Sequence, residues 1–354
     1  MKKVFFTVGP SQLYPTVYGH IDEALKENIP SISHRSEKFM DIYQNTTVLV
    51  KKVLSIPSSF HVFFTASSLE SMERILQNCV YRHSFHLVNG AFSKTFYKFA
   101  LQLGLKPEKI EAPFGQGFDF DKIKIPKEAE LICITHNETS TGVSLPMNKI
   151  YQLRSCYPNK LIALDIVSSA PYEKIDFSKI DIAFFSLQKG FGLPAGLGVL
   201  IVSDKAVTRA SKVADRKSTG SYHSFSSYLE YEKKSQTPET PNVLAVYLLG
   251  KVASDMLKKG IKTIREETVE KADHIYKFFD QHNRFRPFIK DKDFRSKTTI
   301  VVDVGNKSKQ VRKKLQNKGL VVGSGYGDYK DSHIRIANFP AHQLDDIKRL
   351  LKQF

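Results

Sequence analysis

The chain has 354 residues, 41% of them hydrophobic, and a formal net charge of +17 from 53 Lys and Arg against 36 Asp and Glu. This length exceeds what one core usually holds and predicts about two domains of ordinary globular composition. The three cysteines, Cys79, Cys133 and Cys156, are widely spaced, which excludes a disulfide framework and a zinc-ligand pattern and favours a reducing compartment.

The excess positive charge could attract phosphorylated metabolites, nucleic acid or an anionic membrane. Much of it lies in amphipathic C-terminal stretches such as residues 310–318, which favours a solvated helix face over a nucleic-acid surface. Gly9 and Pro10 interrupt the apolar start of the chain, so it does not form a secretory signal, and no later run is long enough to span a bilayer. We expect a cytoplasmic protein that binds neither nucleic acid nor a membrane.

From about residue 45 to residue 235, helical periodicity alternates with short apolar runs. This pattern is typical of a mostly parallel sheet covered by helices on both faces. The strands predicted in this part span residues 61–65, 84–88, 131–135, 161–165, 182–186 and 198–203.

The Pro-rich residues 237–241 mark a predicted junction between domains. Two helices are predicted after it, over residues 242–259 and 266–282, the first ended by Gly260. The remaining pattern indicates a smaller α+β unit with strands at residues 298–304, 320–322 and 333–338 and helices at residues 309–318 and 343–354. The chain is therefore divided into an N-terminal arm (1–11), a large domain (12–241) and a C-terminal domain (242–354).

Lys189 follows an apolar, strand-like run and opens a Gly-rich turn, so this lysine can leave the surface. Asp165 ends another apolar run, and parallel strands bring their carboxyl ends to the same edge of a sheet. Taken singly, such a lysine is usually solvated and such an aspartate usually starts a turn. Together they are the pair that pyridoxal phosphate requires: an amine that bonds to its aldehyde and a carboxylate that keeps its pyridine nitrogen protonated.

Ser67 and Ser68 stand where a predicted strand passes into a predicted helix. Small hydroxyl residues at a helix N-terminus can bind phosphate, because unpaired N–H groups and the helix dipole both point at the anion. An ordinary helix cap without a ligand would have the same sequence. Beside Lys189 and Asp165, these serines become the expected site for the cofactor phosphate.

Other candidates also follow strands or interrupt them. Phe92 can stack on a flat ring, although a chain with 25 Phe offers a core role as readily. Residues 137–142 offer polar groups to a phenolic oxygen, or form a plain turn. His34, Arg35 and Arg335 are candidates for anchoring anionic groups, and Arg335 is the strongest because it interrupts an apolar strand.

With these residues in place, the sequence resembles the class V aminotransferases of the type I pyridoxal phosphate fold, and among them the phosphoserine aminotransferase group. The resemblance implies an α/β fold with a mostly parallel, seven-stranded type of sheet in the large domain and a smaller α+β C-terminal domain. It also implies a homodimer with shared active sites, acting on small amino and oxo acids. The motifs that carry it are residues 6–11 (FTVGPS), 33–36 (SHRS), 137–139 (NET), 188–189 (QK), 192–197 (GLPAGL) and 247–250 (YLLG).

The same resemblance implies a role for each candidate. Lys189 would bond covalently to pyridoxal phosphate and carry the proton, Asp165 would pair with the pyridine nitrogen, and Thr139 would contact the phenolic oxygen. Thr240 would reach the cofactor phosphate of the neighbouring subunit. The others would either hold the cofactor (Ser67, Ser68, Phe92 and Gln188) or receive the anionic groups of the substrate (His34, Arg35 and Arg335).

Three positions depart from the family pattern. Phe92 stands where Trp is usual, and Glu239 stands where Asn is usual. A His-Arg pair expected before Arg335 is missing from the loop of residues 326–331, whose one cation is Lys330. Because that pair helps to grip a substrate phosphate, two transaminases stay open. The leading one exchanges an amino group between glutamate and 3-phosphohydroxypyruvate in serine biosynthesis, and the other acts on an unphosphorylated oxo acid, as alanine:glyoxylate enzymes do.

Overall fold

A computed structural model describes residues 3–354, and residues 1–2 of the predicted arm lie outside the described residues. The strands are β1 (Val4–Phe6), β2 (Phe60–Thr65), β3 (His83–Val88), β4 (Lys106–Glu111), β5 (Leu131–Thr135), β6 (Asn137–Glu138), β7 (Val143–Ser144), β8 (Leu161–Asp165), β9 (Ile182–Ser186), β10 (Gly198–Ser203), β11 (Arg286–Pro287), β12 (Thr299–Asp303), β13 (Leu320–Ser324) and β14 (His333–Ala337). The helices are α1 (Val17–Lys26), α2 (Glu37–Leu54), α3 (Ser68–Cys79), α4 (Ala91–Gln102), α5 (Met147–Cys156), α6 (Asp204–Ala214), α7 (Phe225–Glu232), α8 (Val243–Lys259), α9 (Ile261–Gln281), α10 (Ser308–Asn317) and α11 (Leu344–Leu351).

The larger sheet has seven strands in the order β2-β10-β9-β8-β5-β3-β4. Only β10 runs antiparallel to its neighbours, so the predicted mostly parallel sheet is confirmed. Its central strands are buried along their whole length, as expected of a sheet covered on both faces. The six predicted strands are present with ends that differ by at most about one residue, within the usual uncertainty of such boundaries.

Helices cover both faces of this sheet because adjacent residues of a strand point in opposite directions. Phe184 of β9 packs on one face, in a core that includes residues of α3, α4, α6 and α7. Phe185, the next residue, packs on the other face with residues of α2, α5 and α8. Two cores therefore enclose the strands that carry the candidate site.

The smaller sheet has the strand order β1-β13-β14-β12-β11. β1 pairs in parallel with β13, so the N-terminal arm joins the C-terminal sheet, while the other pairs are antiparallel. Residues of α9, α10 and α11 pack on this sheet and complete the predicted α+β unit. α9 begins at Ile261, five residues earlier than predicted, since Gly260 alone, with a φ of +92°, separates it from α8.

Helix α8 packs against α2 in the first core. The two helices approach closely at Gly250, where an added Cβ would lie 2.4 Å from Thr46 Oγ1. The boundary proposed between residues 241 and 242 stays a prediction. Within residues 3–354, no helix has the length and apolar composition needed to cross a membrane.

Candidate active site

The carboxyl ends of five strands of the larger sheet meet at one edge. Strands β2, β3, β5, β8 and β9 all run toward it, and residues at or beyond their ends line much of a cavity of about 300 Å³. Ligands collect at this edge in doubly wound sheets. The cavity brings together eight of the predicted site residues: Ser67, Ser68, Phe92, Thr139, Asp165, Gln188, Lys189 and Arg335.

The amine of Lys189 lies inside this cavity, and only 7% of the residue is exposed. Its Nζ donates hydrogen bonds of 2.9 Å to Thr139 Oγ1 and of 2.9 Å to Ser168 Oγ. It lies 5.2 Å from the centre of the Phe92 ring. Burial lowers the pKa of this amine, and the negative charge of Asp165 opposes that shift. The lysine is therefore held in one position and is easier to deprotonate than a solvated lysine.

The carboxyl group of Asp165, at the end of β8, is buried in the same cavity. Its Oδ1 accepts a hydrogen bond of 2.9 Å from the backbone N–H of Val167. Burial raises the pKa of this carboxyl, while the hydrogen bond from Val167 and the charge of Lys189 favour the ionised form. This carboxylate can accept a hydrogen bond from a protonated ring nitrogen.

The N-terminus of α3 closes one end of the cavity. The Oγ of Ser67 caps the helix by accepting a hydrogen bond of 3.2 Å from the N–H of Glu70, and the N–H of Ser68 donates to Ser186 Oγ at 3.0 Å. An added Cβ on Gly198 would lie 2.7 Å from the carbonyl carbon of Ser67, so this glycine lets the helix come close to the sheet. The helix dipole favours an anion here.

A buried glutamate, Glu138, joins two segments that line the cavity. Its carboxylate accepts hydrogen bonds from the backbone N–H groups of Phe92, Ser93 and Ser140 at 3.1, 2.9 and 3.1 Å. The hydroxyls of Ser93 and Ser140 donate to it at 3.0 and 2.7 Å. Two of these N–H groups belong to the first turn of α4, where the helix dipole stabilises negative charge. Glu138 thus fixes Phe92 relative to Thr139, the residue that follows it.

Arg335 reaches the cavity from β14 of the smaller sheet. Its Nε donates to the carbonyl of Ser324 at 2.7 Å, and its Nη1 donates to the carbonyl of Thr139 at 3.2 Å. The guanidinium carbon lies 5.3 Å from the centre of the Tyr326 ring. Burial lowers its pKa, but a guanidinium remains a cation at neutral pH. The two sheets therefore contribute to one site.

Three predicted site residues, His34, Arg35 and Thr240, do not line this cavity. Thr240 Oγ1 lies 3.4 Å from His34 Nδ1. The guanidinium of Arg35 donates to the carbonyl oxygens of residues 237–238 at 2.8 and 3.1 Å. These three residues form a separate group, which we call the 34–240 cluster.

Sequence reasoning missed three residues of the site. Ser168 follows Asp165 by three positions, which is too weak a signal on its own. Glu138 lies within the predicted polar turn, but its role depends on contacts with α4. Tyr326 lines the cavity, whereas the sequence interpretation of its loop considered only charge.

The family model for aminotransferase class V matches residues 4–329. The chain belongs to the class V aminotransferases. Arg335 lies just beyond the matched residues, so its position in the cavity rests on the geometry above.

Similar proteins agree with this family. A phosphoserine aminotransferase from Rhodococcus opacus is 26% identical over 353 residues, covering 98% of this chain and 93% of the relative. The crystal structure of a phosphoserine aminotransferase from Cytophaga hutchinsonii is 48% identical, with a TM-score of 0.97, covering 99% of this chain and 98% of that chain. An alanine–glyoxylate aminotransferase from Nostoc sp., 18% identical with a TM-score of 0.85, covers 100% of this chain and 95% of that chain, and shares the fold.

Class V aminotransferases use pyridoxal phosphate, and the cavity of this class V chain fits that group. It offers an amine to an aldehyde, a carboxylate to a ring nitrogen and a helix N-terminus to a phosphate. Gln188 Oε1 is buried without a hydrogen-bond partner, and its residue lines the cavity. Gly9 leaves room for the lysine, since an added Cβ there would lie 2.9 Å from Lys189 Cε.

Proposed function

We propose that this transaminase exchanges an amino group between glutamate and 3-phosphohydroxypyruvate, giving phosphoserine and 2-oxoglutarate in serine biosynthesis. The observation that carries the proposal is the buried Lys189 amine, which shares one cavity with Asp165 and Arg335. The substrate is supported by the 48% identity to a phosphoserine aminotransferase. The biosynthetic role favours the cytoplasm, where amino-acid metabolism supplies both substrates.

Pyridoxal phosphate supplies an aldehyde that bonds to amino groups and a ring that accepts the electrons of a carbanion. We assign Lys189 to the covalent bond, Asp165 to the pyridine N–H and Thr139 to the phenolic oxygen. The Phe92 ring, which belongs to the cavity wall, would lie along the flat face of the group. The phosphate and its surroundings are assigned to Ser67, Ser68 and Gln188.

Lys189 is also the proposed proton carrier. Burial lowers the pKa of its amine, so a larger fraction is neutral near physiological pH than for a solvated lysine. Once free, the neutral amine can take the proton from the substrate Cα and return it within the same cavity. The hydroxyls of Thr139 and Ser168 keep it within reach.

Substrate recognition is assigned to arginine. Arg335 can receive the substrate carboxylate, since a guanidinium pairs with a carboxylate through two hydrogen bonds. We assign His34, Arg35 and Thr240 to the active site of a second copy, because the 34–240 cluster is separate from the cavity of its own chain. The proposed enzyme is therefore a homodimer with shared active sites.

One observation favours the alternative, a transaminase for an unphosphorylated oxo acid. The loop of residues 326–331 contributes the neutral ring of Tyr326 to the cavity, whereas Lys330 is exposed and does not line it. Among the described residues of one chain, Arg335 is the single arginine of the lining. A substrate with both a carboxylate and a phosphate would need a second cationic group, which the proposed dimer would supply through Arg35 of the other copy.

A half-reaction screen tests the substrate. The holoenzyme is mixed with single amino acids while the visible absorption band of its bound cofactor is followed. Glutamate and phosphoserine should each remove the band, and 3-phosphohydroxypyruvate should restore it. A Lys189→Ala variant is the control and should fail to form the band. If glutamate and phosphoserine both fail while alanine or serine succeeds, the phosphoserine assignment is wrong and the alternative stands.

A further inference from the structure

The guanidinium of Arg335 is held along one side only. Its Nε and Nη1 donate to the carbonyl oxygens of Ser324 and Thr139. Its Nη2 donates to no acceptor within residues 3–354, although the residue lines the cavity. An arginine with one edge tied to backbone oxygens and another edge open is suited to receive a carboxylate.

The ring of Tyr326 lies against this guanidinium. Its centre is 5.3 Å from the Arg335 guanidinium carbon and 5.7 Å from the centre of the Phe92 ring, to which it is tilted by 53°. Tyr326 is 38% exposed, so burial in a core does not account for its position. An aromatic face attracts a guanidinium, and this contact restricts how the cation can turn.

The loop that carries Tyr326 is anchored on its other side. Tyr329 stacks on Phe114 with ring centres 4.5 Å apart and an interplanar angle of 4°, and it meets the His333 ring edge-on at 4.8 Å. The N–H of Gly325 donates to the carbonyl of His333 at 2.7 Å. An added Cβ at Gly325 would lie 1.9 Å from the Tyr329 carbonyl oxygen, so only glycine fits there. Tyr326 is therefore presented to the cavity from a fixed backbone.

We propose that Tyr326 is a positioning residue whose ring holds the Arg335 guanidinium in the orientation that receives the substrate carboxylate. The inference rests on the proposed function, because it assigns the substrate carboxylate to Arg335. The amino acid and the 2-oxo acid of the proposed reaction both carry that carboxylate. Loss of the ring should therefore weaken the binding of both substrates by the same factor, whatever their distal groups are.

The test compares holoenzymes carrying Tyr326→Ala, Tyr326→Phe and the matched control Tyr81→Ala. The control removes a similar contact outside the cavity, since the Arg216 guanidinium carbon lies 5.5 Å from the Tyr81 ring. Calorimetry measures the dissociation constant of glutarate, a carboxylate without an amino or oxo group. We expect Tyr326→Ala to raise the dissociation constant of glutarate about fivefold to tenfold, and Tyr326→Phe to change it less than about twofold. The control should bind like the wild type.

Steady-state kinetics give the second reading. Tyr326→Ala should raise KM for the amino donor and for the oxo acid by the same factor, while kcat changes by less than about twofold. The proposal is overturned if Tyr326→Ala binds glutarate as tightly as the wild type does. It is also overturned if Tyr326→Phe binds glutarate as weakly as Tyr326→Ala does, or if KM rises for one substrate only. Failure of glutarate to bind the wild type overturns it too. If glutarate and the KM values behave as expected but the reacting amino acids are other than glutamate and phosphoserine, the proposed substrates are wrong and the role of Tyr326 stands.

Discussion

At the scale of single residues, the candidate site consists of charged groups that would be costly to bury alone. Lys189, Asp165 and Glu138 are all buried, and each has partners that compensate for lost hydration. Asp165 and Lys189 favour each other's charged forms across the cavity. Glu138 is compensated differently, because its partners are N–H and O–H donors at the start of a helix.

Glu138→Gln tests that arrangement. Both carboxylate oxygens accept backbone N–H bonds, one from Ser93 and the other from Ser140, so an amide in either orientation turns its NH₂ toward a donor. We expect unfolding of the cofactor-free protein in urea to become easier by about 1–3 kcal/mol and the cofactor to bind more weakly. Glu128→Gln, an exposed substitution in a turn outside the helices, is the control and should change neither. Wild-type stability and cofactor affinity in Glu138→Gln would refute this role.

The sequence alone was enough to predict those site residues that stand at the end of an apolar strand. Lys189 and Asp165 are recognisable because each follows an apolar run whose end must reach the same sheet edge. Glu138 and Ser168 carry no such signal, since their partners are 45 and 21 residues away in the chain. Tyr326 was overlooked because the loop was interpreted by its charges, whereas the ring makes the contact.

At the scale of elements, the site depends on how closely α3 approaches the larger sheet. Its first turn faces the cavity, and its dipole contributes to an anion site only at that distance. Strand β10 sets the distance through Gly198, which has no side chain to separate the two elements.

Gly198→Ala should push the start of α3 away from β10. The added Cβ would lie 2.4 Å from Thr65 Oγ1 and 2.7 Å from the Ser67 carbonyl carbon, so we expect a loss of about 1–3 kcal/mol in stability and weaker binding of the cofactor. Gly19→Ala is the control, because nothing lies within 4 Å of its added Cβ in helix α1. It should leave cofactor binding unchanged and stabilise the protein by about 0.5–1 kcal/mol. Equal cofactor affinity in both variants, measured by titration of the apoprotein, would contradict the argument.

Elements with a buried, periodic pattern were predictable, and exposed or very short ones were not. The six predicted strands of the larger sheet are rich in apolar residues, whereas β4 is an edge strand whose Lys106, Glu108 and Glu111 are exposed. The three residues of β1 give no usable period, and their strand forms by pairing with β13, more than 300 residues away.

At the scale of the whole molecule, the cavity depends on contacts between distant parts of the chain. Arg335 from the smaller sheet donates to the carbonyl of Thr139 beside the larger sheet, and the arm passes Lys189 at Gly9. The 34–240 cluster is the part of the predicted site that one chain leaves outside the cavity. The assignment of that cluster to a second copy can be tested by mixing inactive variants.

Mixing inactive variants distinguishes shared from self-contained sites. If Arg35 acts in the partner's cavity, Lys189→Ala and Arg35→Ala chains refolded together should form mixed dimers with one intact site, recovering about a quarter of wild-type activity. Lys189→Ala mixed with Asp165→Ala is the control and should recover none, because both residues line the same chain's cavity. No recovery of activity in the first mixture would contradict this assignment. It would mean that Arg35 acts in the cavity of its own chain or has no role in either active site.

The central claim is that the amine of Lys189 forms the covalent bond to pyridoxal phosphate. Borohydride reduction of the holoenzyme, followed by proteolysis and mass spectrometry, locates that bond directly. The account predicts a single modified lysine at position 189, with no modification in a Lys189→Ala variant. A reduced cofactor found on another lysine, or none on the protein, would contradict it.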